Sequence, residues 1–286
     1  MIEARVIKII SNHYTVETVQ GEILQTKASG KLRKHSSPMV GDWVDVLKGV
    51  DLTVIERVRP RSNRMIRPLV ANVDVMLIVM STVKPDFSEV LVDRLSWLIR
   101  HAGVQPALLV SKWDLLTDKA SIEPILNAYR QVMPVFIAGK GLDNDEVLNF
   151  LKGKIAVLTG QSGVGKSSLL NRIDPRFELN TQEISKALGR GKHTTRHVEL
   201  LPVGGGWIAD TPGFSSLDFE EMSTQDLLEA VVEFTPLASQ CRFRNCQHVA
   251  EPGCAVKAAV ANQTIRLTRY EHYLEIRALI EARKEY

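Results

Sequence analysis

Hydrophobic positions along the 286 residues fall into three successive patterns. In the N-terminal stretch, short runs of Val, Ile, Thr and aromatics cover residues 5–10, 14–19, 22–26, 43–47 and 53–58. Turn formers separate them: Ser11-Asn12, Gly21, Ser36-Ser37-Pro38 and Gly41-Asp42. This reads as five short strands. Closing them into a small barrel leaves no exposed edge, so an OB-fold β-barrel is expected over residues 1–62. After Pro60-Arg61-Ser62-Asn63 the pattern changes. Residues 73–80 form a nearly continuous apolar run, the mark of a parallel strand covered on both faces. A helix over 88–102, a strand over 105–110, a helix near 122–132, a strand over 135–138 and a short helix over 144–151 follow. The alternation predicts a doubly wound α/β domain over residues 63–216, with ligands beyond the carboxyl ends of its strands. A hairpin closes it: residues 198–203, a turn at Gly204-Gly205-Gly206, and residues 207–209. From 217 to 286 the spacing is helical. Ser223 and Asp226 form a capping signal, and Tyr270, Tyr273, Ile276 and Ile280 share one face.

Composition changes this picture little. Hydrophobic residues make up 44% and charged residues 24%, as in ordinary globular proteins. No apolar run reaches the length of a membrane span, and Met1-Ile2-Glu3-Ala4-Arg5 does not open a signal peptide, so a cytoplasmic setting without membrane is expected. The net charge is only +3. Basic residues nevertheless recur on and after the barrel: Lys27, Lys31, Arg33, Lys34, His35, Arg57, Arg59, Arg61, Arg64 and Arg67. They read equally as a solvated face or as a surface for nucleic-acid phosphates.

Chemistry enters with the strand at 155–159. It runs into Gly160-Gln161-Ser162-Gly163-Val164-Gly165-Lys166-Ser167-Ser168, and Leu169, Leu170 and Ile173 continue at helical spacing. G-x-x-x-x-G-K-S between a strand and a helix cradles phosphates. The glycines let backbone amides approach an anion, and the helix start directs free N–H groups at it. Lys166 adds a mobile charge and Ser167 a hydroxyl for Mg²⁺, so a nucleoside triphosphate with Mg²⁺ is the expected ligand. Asp210-Thr211-Pro212-Gly213 gives D-x-x-G at the end of an apolar strand. An Asp placed there holds Mg²⁺, and the amide of Gly213 senses the γ-phosphate. Ser111-Lys112-Trp113-Asp114 resembles the guanine-reading N-K-x-D motif. A carboxylate at Asp114 accepts from both the N1–H and the 2-amino group of guanine, a donor pair adenine lacks. Ser111 stands where Asn is usual, a change expected to loosen the loop. Ala138-Gly139-Lys140 is a weaker match to the element whose amide meets guanine O6. The guanine motif precedes the phosphate loop and D-x-x-G comes last, the order a circular permutation produces.

The chain has three cysteines, and all lie close together. Cys241, Cys246, His248 and Cys254 are spaced C-x₄-C-x-H-x₅-C. Three thiolates and an imidazole make a closed tetrahedral set, so one structural Zn²⁺ per chain is expected. Arg242, Arg244 and Lys257 surround it.

Taken together, these features make the whole chain resemble the circularly permuted RsgA (YjeQ/YloQ) GTPase family. The resemblance rests on residues 160–168, Gly189-Arg190-Gly191-Lys192-His193-Thr194-Thr195, Asp210 to Gly213 and the Cys/His set. It implies a monomer that binds the 30S ribosomal subunit and 16S rRNA late in small-subunit maturation and hydrolyses GTP to GDP there. Catalysis would rest on Lys166, the loop amides and Mg²⁺ held by Ser167 and Asp210. Thr194 or Thr195 would complete the metal shell, and the sequence does not choose between them. Phe214 stands where many GTPases carry Gln, so slow intrinsic hydrolysis, stimulated by the 30S subunit, is expected. His193 is a candidate to orient water, with a phosphate contact or simple exposure as equal alternatives. Two rival readings are a phosphate-loop ATPase or kinase, against which Asp114 argues, and an RNA-binding protein that uses guanine nucleotide as a sensing ligand.

Overall fold

Eleven strands and eight helices are found among the residues described by the computed structural model, 1–30, 32, 37–49, 53–65, 69–173, 199–210, 219 and 221–283. The strands are β1 Ile2–Ile10, β2 His13–Thr18, β3 Ile23–Ala28, β4 Trp43–Lys48, β5 Thr53–Val58, β6 Val75–Ser81, β7 Gln105–Ser111, β8 Val135–Ile137, β9 Ile155–Thr159, β10 Glu199–Val203 and β11 Gly206–Asp210. The helices are α1 Glu89–His101, α2 Lys119–Arg130, α3 Asp145–Leu151, α4 Lys166–Ile173, α5 Thr224–Ala230, α6 Thr235–Ala238, α7 Ala255–Ala261 and α8 Leu267–Arg283. They fall into two compact units, Met1–Leu77 with Asp143–Ser215, and Ile78–Leu142 with Ser216–Tyr286. Among the described residues no helix is long and apolar enough to cross a membrane.

In the first unit the N-terminal strands form the expected barrel. Their order is β2-β3-β5-β4-β1, and β1 also pairs with β2, which closes the ring. Pairing is antiparallel except between β3 and β5. Alternate side chains point inward, and Ala4, Val6, Val16, Val44, Val46 and Ile55 are completely buried. Three of the arginines that follow are already committed. Asp45 accepts from Arg57 Nε at 2.7 Å and Arg59 Nε at 2.9 Å, while buried Asp42 accepts twice from Arg61 at 2.7 Å. Burial opposes ionisation of Asp45, yet Arg59 and Arg57 hold its carboxyl below the usual range. These guanidinium charges are neutralised within the fold, which reduces the basic surface legible in the sequence.

The barrel continues into the neighbouring strands through β1, where Lys8 lies opposite Glu199 of β10 and bonds it at 2.6 Å. Arg5, also on β1, is 8% exposed and lies over both Trp43 and Trp207, 4.3 and 4.7 Å from the ring centroids. Its desolvated charge is held by two aromatic faces. β10 and β11 form the hairpin, and β11 runs parallel to β9. The turn is tighter than expected. Gly206 pairs with Val203 as the first residue of β11, so Gly204 and Gly205 alone make the turn, at φ +55° and +83°. Two residues at positive φ match the twist of antiparallel strands.

In the second unit β6 is buried along its whole length, and β7 and β8 pair in parallel. Ser88 caps α1 by accepting from the Leu91 amide. α2 begins at Lys119 rather than near 122, because Asp118 accepts from the amides of Ala120 and Ser121. The apolar face of α1 meets the C-terminal helices: Trp97 and Leu98 join Leu227, Val231, Phe234, Val256, Tyr273 and Ile276 in one core. A buried polar cluster lies beside it. Asp93 of α1, which is fully buried, accepts from Arg269 and from Tyr129 and pairs with His272, while Arg269 also bonds Glu233.

Candidate functional site

The phosphate loop lies between β9 and α4, as the strand–loop–helix pattern requires. Gly160, Gly163 and Gly165 take φ +135°, +82° and +94°, conformations that side chains resist. Val164 is buried and anchors the loop, while Gln161, Ser162 and Gly163 face solvent. The ammonium of Lys166 donates to the carbonyls of Gly160 at 2.6 Å and Gln161 at 2.8 Å. Burial lowers its pKa. Ser167 and Ser168 follow in the first turn of α4, where amide groups have no helical partner. This is a preformed anion cradle with a Mg²⁺-binding hydroxyl at its edge. Asp210 ends β11, as expected. His193, Thr194, Thr195 and Gly213 lie outside the described residues.

The guanine-type motif belongs to the second unit. Ser111 is the last residue of β7, and its hydroxyl donates to the Met80 carbonyl at 3.2 Å. Lys112 adopts the left-handed conformation, φ 56° and ψ 30°, and precedes a single 3₁₀ turn, Trp113–Leu115. The ammonium of Lys112 donates to the carbonyls of Val83, at 3.0 Å, and Lys84. Asp114 is exposed, with Oδ1 accepting from the Lys140 amide at 2.8 Å. The Ala138-Gly139-Lys140 segment thus sits directly against the base-reading carboxylate. Gly139 must be glycine there: a Cβ would lie 2.8 Å from Asp114 Oδ1 and 3.0 Å from its amide nitrogen.

Cys241, Cys246, His248 and Cys254 bring their ligand atoms within 4.8 Å of one another. His248 Nδ1 lies 3.3 Å from Cys254 Sγ and 3.6 Å from Cys241 Sγ. Burial favours a neutral imidazole at His248, the form that ligates metal. Burial, and then the thiols of Cys254 and Cys241, push the Cys246 thiol up to about 12. Only a cation at their centre would hold three such sulfurs as thiolates, so the donor set fits a divalent metal. Amides support it, from Ala255 to Cys241 Sγ at 3.3 Å and from Lys257 to Cys254 Sγ at 3.4 Å.

Residues the sequence reading passed over hold this loop. Tyr270 and Tyr273 of α8, read there only as an apolar face, donate to the carbonyls of His248 and Gln247 at 2.7 and 2.8 Å. Glu251 accepts from the amides of Gln247 and Val249. Its burial works the other way, but these amides and its own bring its pKa down to about 2. The Cys/His spacing, with Glu251 inside it, was the signal available.

Known proteins share this arrangement throughout the chain. A family model described as the RsgA GTPase matches residues 56–220, and one described as the RsgA N-terminal domain matches residues 3–50. The chain is 41% identical to the small ribosomal subunit biogenesis GTPase RsgA of Streptococcus pneumoniae, covering 99% of this chain and 96% of that one. It is 43% identical to RsgA 2 of Listeria innocua, covering 99% of each. Among solved structures, YloQ, titled a circularly permuted GTPase, superposes with a TM-score of 0.86 at 35% identity over 99% of this chain and 96% of that one. YjeQ from Thermotoga maritima superposes at 0.84, with 33% identity over 98% of each. With a phosphate loop that follows a guanine-type motif, a five-stranded barrel before both and a Cys₃His cluster after them, the chain belongs to the RsgA GTPase family.

Proposed function

We propose that this protein hydrolyses GTP on the small ribosomal subunit during its late maturation. One observation carries the reading: near-complete coverage, at 41–43% identity, of relatives named as small ribosomal subunit biogenesis GTPases. Residues 1–62 and 217–286 flank the catalytic segment, 63–216, and supply surfaces for 30S and 16S rRNA. Residues 160–168 hold the phosphates of GTP, and Asp114 selects guanine. Ser167 and Asp210 hold Mg²⁺, which when bound neutralises charge developing on the β- and γ-oxygens. Lys166 and the loop amides act in the same sense, and attack is by water in line with the leaving oxygen. Thr194 or Thr195 completes the metal shell, and His193 orients the water. Zn²⁺ occupies the Cys₃His cluster as a structural ion.

The test is steady-state GTP hydrolysis with and without purified 30S particles. Stimulation of at least tenfold is expected, and it is lost in Lys166→Ala. Equal rates with and without 30S would remove the ribosomal role. A protein that binds GTP without turnover under either condition would favour the sensing reading.

A further inference from the structure

The guanine-type loop carries a conformational cost at its base. Lys112 is a non-glycine residue at φ 56°, in a region L-residues avoid. The single 3₁₀ turn that presents Asp114 starts from this residue, with the Leu115 amide donating to the Lys112 carbonyl at 2.9 Å. The orientation of that one carbonyl therefore sets the orientation of the turn. A second donor reaches the same oxygen. The hydroxyl of Thr82, just beyond β6, donates to Lys112 O at 2.9 Å, and the Thr82 amide donates to Ser111 O at 3.2 Å. Thr82 is 8% exposed. Its neighbours Val83 and Lys84 accept from the Lys112 ammonium. Residues 82–84 thus grip the backbone and the side chain of Lys112 together. From the other side, the Trp113 amide donates to Ala138 O at 3.2 Å, and the Lys140 amide holds Asp114 itself.

We propose that Thr82 is a positioning residue for guanine recognition, its hydroxyl fixing the carbonyl from which the Asp114 turn departs. This rests on the reading of Asp114 as the base-selecting group. Ser111 reinforces the need for it. The serine hydroxyl bonds back to Met80 of β6, below the loop, whereas the Thr82 hydroxyl reaches the loop residue itself. Guanine selection needs both donors of the base met at once, so a small rotation of the carboxylate costs more for guanine than for a base with one donor fewer.

Hypoxanthine is that base, because it lacks the 2-amino group. The experiment measures the affinities of the full-length protein for GDP, IDP and ADP by calorimetry, in wild type, Thr82→Val, Thr82→Ala and Thr82→Ser. In the valine and alanine variants GDP binding should weaken roughly fivefold to tenfold, as for one lost hydrogen bond. IDP binding should weaken less, so that the preference for GDP over IDP shrinks. Serine retains the hydroxyl and should keep the wild-type preference. Using alanine beside valine keeps the packing of one added methyl from deciding the result. An unchanged preference in both variants, or an equal loss for GDP and IDP, would overturn the proposal and leave Thr82 a structural residue. Wild-type protein that binds ADP as tightly as GDP would instead overturn the guanine reading on which the proposal stands.

Discussion

A methyl group at position 139 would press on Asp114 from 2.8 Å, closer than a real Cβ is found to any neighbour. Gly139→Ala should therefore displace the carboxylate and weaken GDP binding roughly tenfold, about 1.4 kcal/mol, with little change in melting temperature. Calorimetry and a thermal melt read the two quantities separately. Cys254 has two tasks: it is a metal-cluster residue, and its sulfur caps α7 by accepting from the Lys257 amide. Cys254→Ser should lose bound metal but keep the helix start, since a hydroxyl caps well, whereas Cys254→Ala should lose both. Metal content against helical circular dichroism separates the outcomes. At this scale the sequence was legible wherever chemistry is written in contiguous residues, as in Gly160 to Ser168 and Cys241 to Cys254. Thr82 was not legible, because its partner is distant in the chain and a Thr at a strand end has no pattern of its own.

Elements were read well where their signals are local. Ser223 and Asp226 form the expected reciprocal cap, with the Ser223 amide donating to Asp226 at 2.8 Å and the Asp226 amide to Ser223 Oγ at 3.1 Å. Ser223→Ala should cost about 1 kcal/mol, visible as a lowered denaturation midpoint at unchanged slope. The start of α2 was placed too late because Asp118, not an apolar residue, marks it and Pro124 interrupts the helical spacing. The glycine turn was drawn one residue too long, since only strand register tells a turn glycine from a paired one. In the barrel the strands were visible, but the ion pairs of Asp42 and Asp45 were not. Pairing across strands brings Arg57 and Asp45 opposite each other at a separation in sequence that no period reports.

For the whole molecule, the buried polar cluster around Asp93 matters most. It joins α1, Tyr129 of α2, Glu233 and α8 inside one compact unit. Arg269→Ala would leave Asp93 and Glu233 short of their cation and should destabilise the protein by about 3–5 kcal/mol. The hydrogen bond to Asp93 raises the pKa of His272 above the usual 6.5, although burial opposes it. A raised value favours the folded state when the imidazole is protonated. That stabilisation is complete below pH 6.5 and fades as pH rises through the higher folded value. Denaturant midpoints should fall across this interval, and His272→Gln should flatten the slope. The same cluster governs how the molecule can be taken apart. Scissors applied at residue 216 would strip Arg269 and His272 from a carboxylate with no access to water and leave the Trp97 indole wet. A fragment shortened in that way would fail through its own raw surface, so silence from it in a binding assay would say nothing about what the missing tail recognises.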